Sequence, residues 1–405
     1  MPTITSPSPA PPPRDPVSSA SIAEMSSGNS LPEGIAVDML FAARPFTGLE
    51  HHALHILRGL HTVGVSVDVL VPSDVIADLG DAAVGHRLVP FPRVPRGLRL
   101  GREQWSVPWR FGAYPRALPL LHSVLGVAPM LSGVPLVLTV PDLVYRFRPA
   151  DMHPRARWYF GTLGPKSIRR ARRLMVSSQA ICRQLIDLYH IAPERVAYVP
   201  LCADPIFTPR PADEIASVRK QFGLPGGYIL YVGTTDPRKD LTRLRAAYEL
   251  LPPDLVDDSA LVYVGRTNRG AERLAKQLRK PGPRAHIIAL DYVPRDVLPA
   301  IYSGASVFVY PSRYEGFGLP VLEAMSCGAP VVVSSDEALA ELVEDAGVVL
   351  RTESIEELTQ AMERLLRFDD DQARLRKLGL ARSKAFSIAR LGGETAEVYR
   401  QALAS

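Results

Sequence analysis

Cysteine is scarce in this chain. Its 405 residues include 3, Cys182, Cys202 and Cys327, without the pairing of a disulfide framework or the spacing of a metal finger. That scarcity suggests a reducing, cytoplasmic setting. The start lacks a basic segment followed by an apolar core, so no secretory signal is expected there. Long uncharged runs are also rare. One such run, Ala117–Pro141, approaches the length of a membrane span. Pro119, Gly126, Pro129, Gly133 and Pro135 interrupt it, so it reads as loop and then a buried strand at Pro135–Val140. No Gly-x-Gly-x-x-Gly follows the first apolar strand, which argues against a nicotinamide dehydrogenase.

The remaining composition is that of a soluble globular protein, and 405 residues suit two domains with real cores. A net charge of +5 does not call for nucleic acid. The charge is unevenly spread. Residues 87–116 carry 7 arginines against one acid, Glu103, and residues 146–173 carry 9 lysines and arginines against Asp151. Such stretches are either solvated faces or contacts for an acidic acceptor or an anionic membrane. The first 33 residues, with 7 prolines among the first 16, have the composition of a disordered tail.

Ile35–Phe41 reads as a strand. Leu49, Ala53, Ile56, Leu57, Leu60 and Val63 then recur at helical spacing, and Val65–Val71 returns as a strand. This βαβ unit implies a parallel sheet. Strands at 135–140, 174–177 and 196–199 follow, with helices at Arg155–Arg172 and Gln179–Tyr189. The proline-rich Asp204–Pro211 reads as a linker. A second alternation follows, with strands at 228–232, 260–264, 286–289, 306–310 and 330–334. Leu358–Phe386 reads as helical, broken near Asp369–Asp371, and Ala389–Leu403 as a last helix. The fold class is α/β, two doubly wound Rossmann-like domains facing across a cleft.

Pro311–Met325 is the most informative segment. A buried strand leads into Tyr314-Glu315-Gly316-Phe317-Gly318-Leu319-Pro320, and a helix carries Glu323 two turns on. Glycines at a strand-to-helix turn expose backbone N–H groups where a helix N-terminus favours anions. Two carboxylates there suit sugar hydroxyls while the backbone holds phosphate. A second strand–glycine–helix segment, Tyr231–Asp240, contains Gly233, Arg238 and Lys239. Two cations at such a turn suit a departing diphosphate.

These two segments closely resemble the signatures of retaining GT-B glycosyltransferases of family 4. The likeness is strong over 227–335, moderate over 135–209 and weak before 35. It implies a hexose moved from a nucleoside diphosphate sugar, with GDP or UDP, to an acceptor hydroxyl, without a cofactor or divalent metal. It also implies work in polysaccharide, glycolipid or glycoconjugate synthesis. By the same resemblance Arg238 and Lys239 stabilise the diphosphate, and Glu315 lies near the donor sugar. Glu323 takes the ribose hydroxyls. The backbone of Gly233, Gly316, Phe317, Gly318 and Leu319 meets sugar and phosphate, and Tyr292 and Val293 border the base. Gly48 stands in the family's Gly-Gly turn, and Asp142 orders donor or acceptor. The implied partition is a tail at 1–33, an acceptor-side domain at 34–205 and a nucleotide-sugar domain at 206–386. A final helix at 387–405 packs back on the first domain.

The acceptor is expected to be a saccharide or lipid-linked, with peripheral membrane contact at the inner face as one reading. The chain departs from the pattern where Thr139-Val140-Pro141-Asp142 replaces Thr-Val-His-Asp. Pro141 has neither N–H nor polar side chain. That departure keeps open an alternative, a non-catalytic subunit that binds a sugar nucleotide or a partner. An epimerase on this fold would need acid and base carboxylates not evident here. His122 resembles a strand-end histidine of the family or is a core histidine. His51 and His55, four apart, lack a third metal ligand.

Overall fold

The alternation of short Val- and Leu-rich runs with amphipathic segments builds two parallel sheets. The computed structural model describes residues 31–44, 46–94, 102–111, 118–267, 272, 276, 286–291 and 293–405. The tail at 1–30 lies outside them, as does Tyr292.

The first sheet holds β1 (Ala36–Asp38), β2 (Asp68–Pro72), β3 (Arg87–Phe91), β4 (Leu121–Ser123), β5 (Leu136–Val140), β6 (Arg173–Val176) and β7 (Val196–Tyr198). Their spatial order is β3-β2-β1-β4-β5-β6-β7, all parallel. The second holds β8 (Gly227–Val232), β9 (Ser259–Val264), β10 (Ile287–Leu290), β11 (Val307–Tyr310), β12 (Val331–Val333) and β13 (Val348–Val349), ordered β10-β9-β8-β11-β12-β13. In both sheets the strand order reverses in the middle, between β1 and β4 and between β8 and β11. Ligands of such sheets bind outside the carboxyl ends of the strands at that reversal. The two segments singled out in the sequence, 233–240 and 311–319, follow β8 and β11, the neighbours at the second reversal.

The first helix, Gly48–Thr62, opens on a capping box: Thr47 N–H donates to Glu50 Oε2 at 2.9 Å. Its buried face, Ala53, Ile56, Leu57 and Leu60, packs with Val37 of β1, with Met39 just after it, and with Leu391, Ala396 and Tyr399. The last three belong to the final helix, Ile388–Ala404, which returns from the second half of the chain. At the crossing the backbones nearly touch, since a Cβ on Gly392 would lie 2.0 Å from Gly59 O.

Two local expectations are corrected, and the helix break expected near Asp369–Asp371 is found there. Ala117–Pro141 contains an additional strand, β4, between β1 and β5 in the sheet. The stretch 358–386 is two helices, Ile355–Arg367 and Asp369–Ser383, and the acidic run forms the first turn of the second, where the helix dipole favours it. Finally, Arg170 and Arg172 are structural. Arg170 holds the carbonyl oxygens of Pro129, Ser132 and Val134, and Arg172 Nη1 donates to Ala402 O at 3.0 Å.

Candidate functional site

Beyond β8 the chain turns at Gly233, whose φ of 153° is accessible to glycine. Gly265, after β9, has φ 146°, and a Cβ there would lie 1.9 Å from Gly233 O. The strand ends are therefore bare backbone. Asp236 caps the short turn Pro237–Lys239 by accepting from Arg238 N at 3.2 Å. Asp240, in the left-handed region, then starts the helix Leu241–Glu249. Arg238 and Lys239 thus stand just ahead of that helix rather than in its first turn.

After β11, Pro311–Gly318 leads into the helix Leu319–Ser326. Gly318 has φ 104° and faces Leu339. Gly316 is needed for another reason: a Cβ would lie 1.8 Å from Pro141 O, at the turn after β5. The turns from the two sheets touch there, and Ser177 Oγ donates to Gly316 O at 3.1 Å. Tyr314 Oη accepts from Leu143 N and donates to Gln184 Oε1, both at 3.0 Å. Glu341 takes the N–H groups of Gln179 and Ala180, at the start of the helix Gln179–Tyr189. Arg183 pairs with Glu337 at 2.8 Å.

The charged cluster lies in this seam. Lys239 Nζ donates to Tyr310 Oη at 2.6 Å and to Glu315 Oε1. Arg238 Nη1 donates to Tyr314 O at 3.0 Å and to Glu315 Oε2 at 3.3 Å. Glu315 N–H donates to Asp336 Oδ2 at 3.1 Å. Burial pushes the Glu315 carboxyl up, but Lys239 and Arg238 outweigh it and hold the group below the usual range. Burial, with Arg238 beside it, lowers Lys239. Burial also raises Asp142, against the pull of Arg238, while its Oδ1 accepts from Val144 N at 3.1 Å. Asp142 and Arg238 both line a cleft of about 660 Å³ that also exposes Leu49, Gly126, Pro141, Tyr145, His153 and Phe160.

Glu323 is 8% exposed and accepts from Tyr302 Oη at 3.0 Å. Burial pushes its carboxyl up to about 7, and Arg295, 3.7 Å away, opposes that. Gly48, at the start of the first helix, faces Leu319, whose Cδ1 would be 3.9 Å from an added Cβ. Phe317 is buried against Phe386. Val293 belongs to the core of the second sheet, while Tyr292 lies outside the described residues. Arg238, Lys239, Glu315, Asp142 and Gly316 are therefore brought together. Glu323 sits on the same helix-bearing turn but faces Arg295.

His122 is a core residue. It is fully buried in β4, with Nδ1 2.8 Å from Tyr399 Oη and Nε2 2.7 Å from Thr139 Oγ1, and burial pushes its pKa down to about 3. His55 turns to Asp204, 3.5 Å away. Among the described residues no group of three or more His, Cys, Asp or Glu is arranged to hold a metal. The sequence reading missed Asp204, Arg295, Tyr310 and Asp336. Asp336 had a signal, an Asp one residue before an apolar helical run.

Comparison with known proteins accords with this geometry. Residues 46–207 match the family described as Glycosyltransferase Family 4, and residues 215–381 match Glycosyl transferases group 1. The O-antigen chain mannosyltransferase B of Escherichia coli is 33% identical over 252 residues, 62% of this chain and 66% of that protein. The MMP alpha-(1->4)-mannosyltransferase of Mycolicibacterium hassiacum is 30% identical over 290 residues, 67% of this chain and 66% of the relative. A serotype-specific mannosyltransferase, WbdA of Escherichia coli, is matched over 29% of its length at 29% identity. The chain thus spans just under two thirds of the first relative and less than a third of the next. Among solved structures, Anabaena HepE in complex with UDP and glucose superposes with TM-score 0.71 at 18% identity, covering 90% of this chain and 98% of that one. WaaG, a glycosyltransferase involved in lipopolysaccharide biosynthesis, gives 0.70 at 19%, covering 90% and 99%. At those identities the likeness is one of fold.

Proposed function

The chain belongs to glycosyltransferase family 4, the glycosyl transferases group 1, and from that premise we propose that it is a retaining hexosyltransferase. Its donor is a nucleoside diphosphate sugar, and the relatives named mannosyltransferases favour a mannosyl donor. The observation that carries this reading is the Arg238–Lys239–Glu315 cluster at the reversal point of the second sheet, facing Asp142 across the cleft.

The bond from the anomeric carbon to the diphosphate oxygen breaks, and the anomeric carbon bonds to the acceptor oxygen on the same face. The acceptor proton passes to the leaving phosphate oxygen. Negative charge grows on the diphosphate as it leaves, and Arg238 and Lys239 are held where they meet it. Glu315 keeps both cations in place, and Glu323 accepts from the ribose. Residues 34–205 and 206–386 act as acceptor half and donor half, with 387–405 fastening the two halves. No helix among the described residues is long and apolar enough to cross a membrane. A lipid-linked acceptor is then reached by docking at the inner face of an anionic membrane.

Turnover and slow hydrolysis of GDP-mannose and UDP-glucose test the reading. Lys239→Ala is expected to lower kcat by about 10²- to 10³-fold, because the charge it meets exists in the transition state. Glu323→Ala is expected chiefly to raise KM, because ribose contacts are the same in ground and transition states. Unchanged kcat with a raised KM for Lys239→Ala would remove the leaving-group role.

A further inference from the structure

Arg295 sits where the nucleotide side of the site meets the connection between the two sheets. Its Nη2 lies 3.7 Å from Glu323 Oε1 and 3.7 Å from Asp204 Oδ2, and its guanidinium covers the ring of Phe207 at 5.0 Å. Neither contact is short enough for a hydrogen bond, so one cation is divided between two acids. Asp204 is itself a hub. It takes Arg58 Nη1 at 3.2 Å and His55 Nε2 at 3.5 Å, both from the first helix, and its Oδ1 accepts from Ile206 N at 3.2 Å. Glu323 and Asp204 are at most 9% exposed. His51 and His55, noted in the sequence as a pair, face this hub.

Resting on the assignment of Glu323 to the ribose, we propose that Arg295 is a positioning residue. It keeps Glu323 an ionised acceptor for the donor ribose, and Asp204 is the competing anion that ties this balance to the first helix. A carboxylate accepts from two vicinal hydroxyls when ionised; protonated, it offers one acceptor oxygen and a donor. Burial opposes ionisation here. The groups facing Glu323 are Arg295, Asp204, the Tyr302 hydroxyl and the Cys327 thiol. Arg295 is the cation of that set. Removing it raises the pH at which Glu323 ionises. Neutralising Asp204 lowers it, because a nearby negative charge is lost and Arg295 is released toward Glu323. A pair that merely fills space would weaken binding in both variants without moving the midpoint in opposite directions.

Calorimetry on the full chain with GDP, UDP and their 2′-deoxy forms between pH 6 and 9 tests this. The preference for ribonucleotide over deoxynucleotide isolates the ribose contact from phosphate ionisation. In the unmodified protein that preference is expected to rise with a midpoint near 7. Arg295→Met moves the midpoint up by about one pH unit, Arg295→Lys keeps it near its original place, and Asp204→Asn moves it down. Glu323→Gln holds the preference at its low, protonated level at every pH. If Glu323→Gln leaves the preference intact, or neither nucleotide binds the unmodified protein, the ribose assignment is wrong and this proposal falls with it. If Glu323→Gln removes the pH dependence of the preference but Arg295→Met and Asp204→Asn keep the original midpoint, the role of Arg295 alone is overturned.

Discussion

Glu103 brings a carboxyl into the first half of the molecule with 2% of its surface exposed, bonded to the Tyr159 hydroxyl and near Asp38. Burial pushes it up to about 8, and Asp38 is raised by burial to about 6. An unfolded chain releases these protons near pH 4. Between pH 4 and 8 the folded protein therefore binds more protons than the unfolded one, and stability falls as pH rises through that window. Glu103→Gln stays neutral and keeps an oxygen for Tyr159. Its urea midpoint is expected to decline less than that of the unmodified protein between pH 5 and 8, a relief of about 4 kcal/mol at pH 8. Parallel declines would show that Glu103 ionises freely in the folded state. Of the residues at the candidate site, Arg238, Lys239, Glu315 and Glu323 were legible in the sequence because each lies close to a glycine turn that follows an apolar strand. Asp204 and Arg295 were not. They stand far apart in the chain, without flanking glycines, and meet through tertiary packing alone.

The final helix carries a contrast between neighbouring glycines. A Cβ on Gly392 would lie 2.0 Å from Gly59 O, so the two helices must separate to admit it. Gly393 has no atom within 4 Å of its Cβ position. Alanine is the better helix former by about 1 kcal/mol at both positions. At Gly392 a backbone collision costing about 1–3 kcal/mol outweighs that gain. Thermal unfolding is expected to place Gly392→Ala below, and Gly393→Ala above, the unmodified protein. Equal shifts in one direction would mean that the crossing yields easily. The long amphipathic helices and the Val-rich strands were readable from periodicity. β4 was not, because its three residues lie among prolines and glycines and gain strand character from β1 and β5 on either side. β13, two residues long, is too short for alternation to register.

At the scale of the whole molecule, six of the nine basic residues of 146–173 fall into two groups. Arg170 and Arg172 are engaged with backbone carbonyls, as described above, so substituting them would test the fold rather than docking. The helix Pro154–Arg170 leaves Arg155, Arg157, Lys166 and Arg169 exposed, with no acid along its length. Trp158, on the same helix, is 70% exposed. Tyr159 ties this helix to the one bearing Trp105, which is 78% exposed. Cations beside exposed tryptophans suit a bilayer interface, where each cation adds about 1 kcal/mol near an anionic surface and indole rings sit at headgroup depth. Four cations then supply about 4 kcal/mol at low salt, and screening removes most of it at 1 M, where the Debye length is about 3 Å. The full chain is expected to sediment with phosphatidylserine-containing vesicles at low salt and to be released by high salt. Substituting Arg155, Arg157, Lys166 and Arg169 with Gln should weaken binding by at least about a hundredfold. Trp158→Ala should weaken it while leaving the salt dependence unchanged, because an apolar insertion is not screened. Equal sedimentation with anionic and neutral vesicles at low salt would remove membrane docking and leave a freely diffusing saccharide as the acceptor.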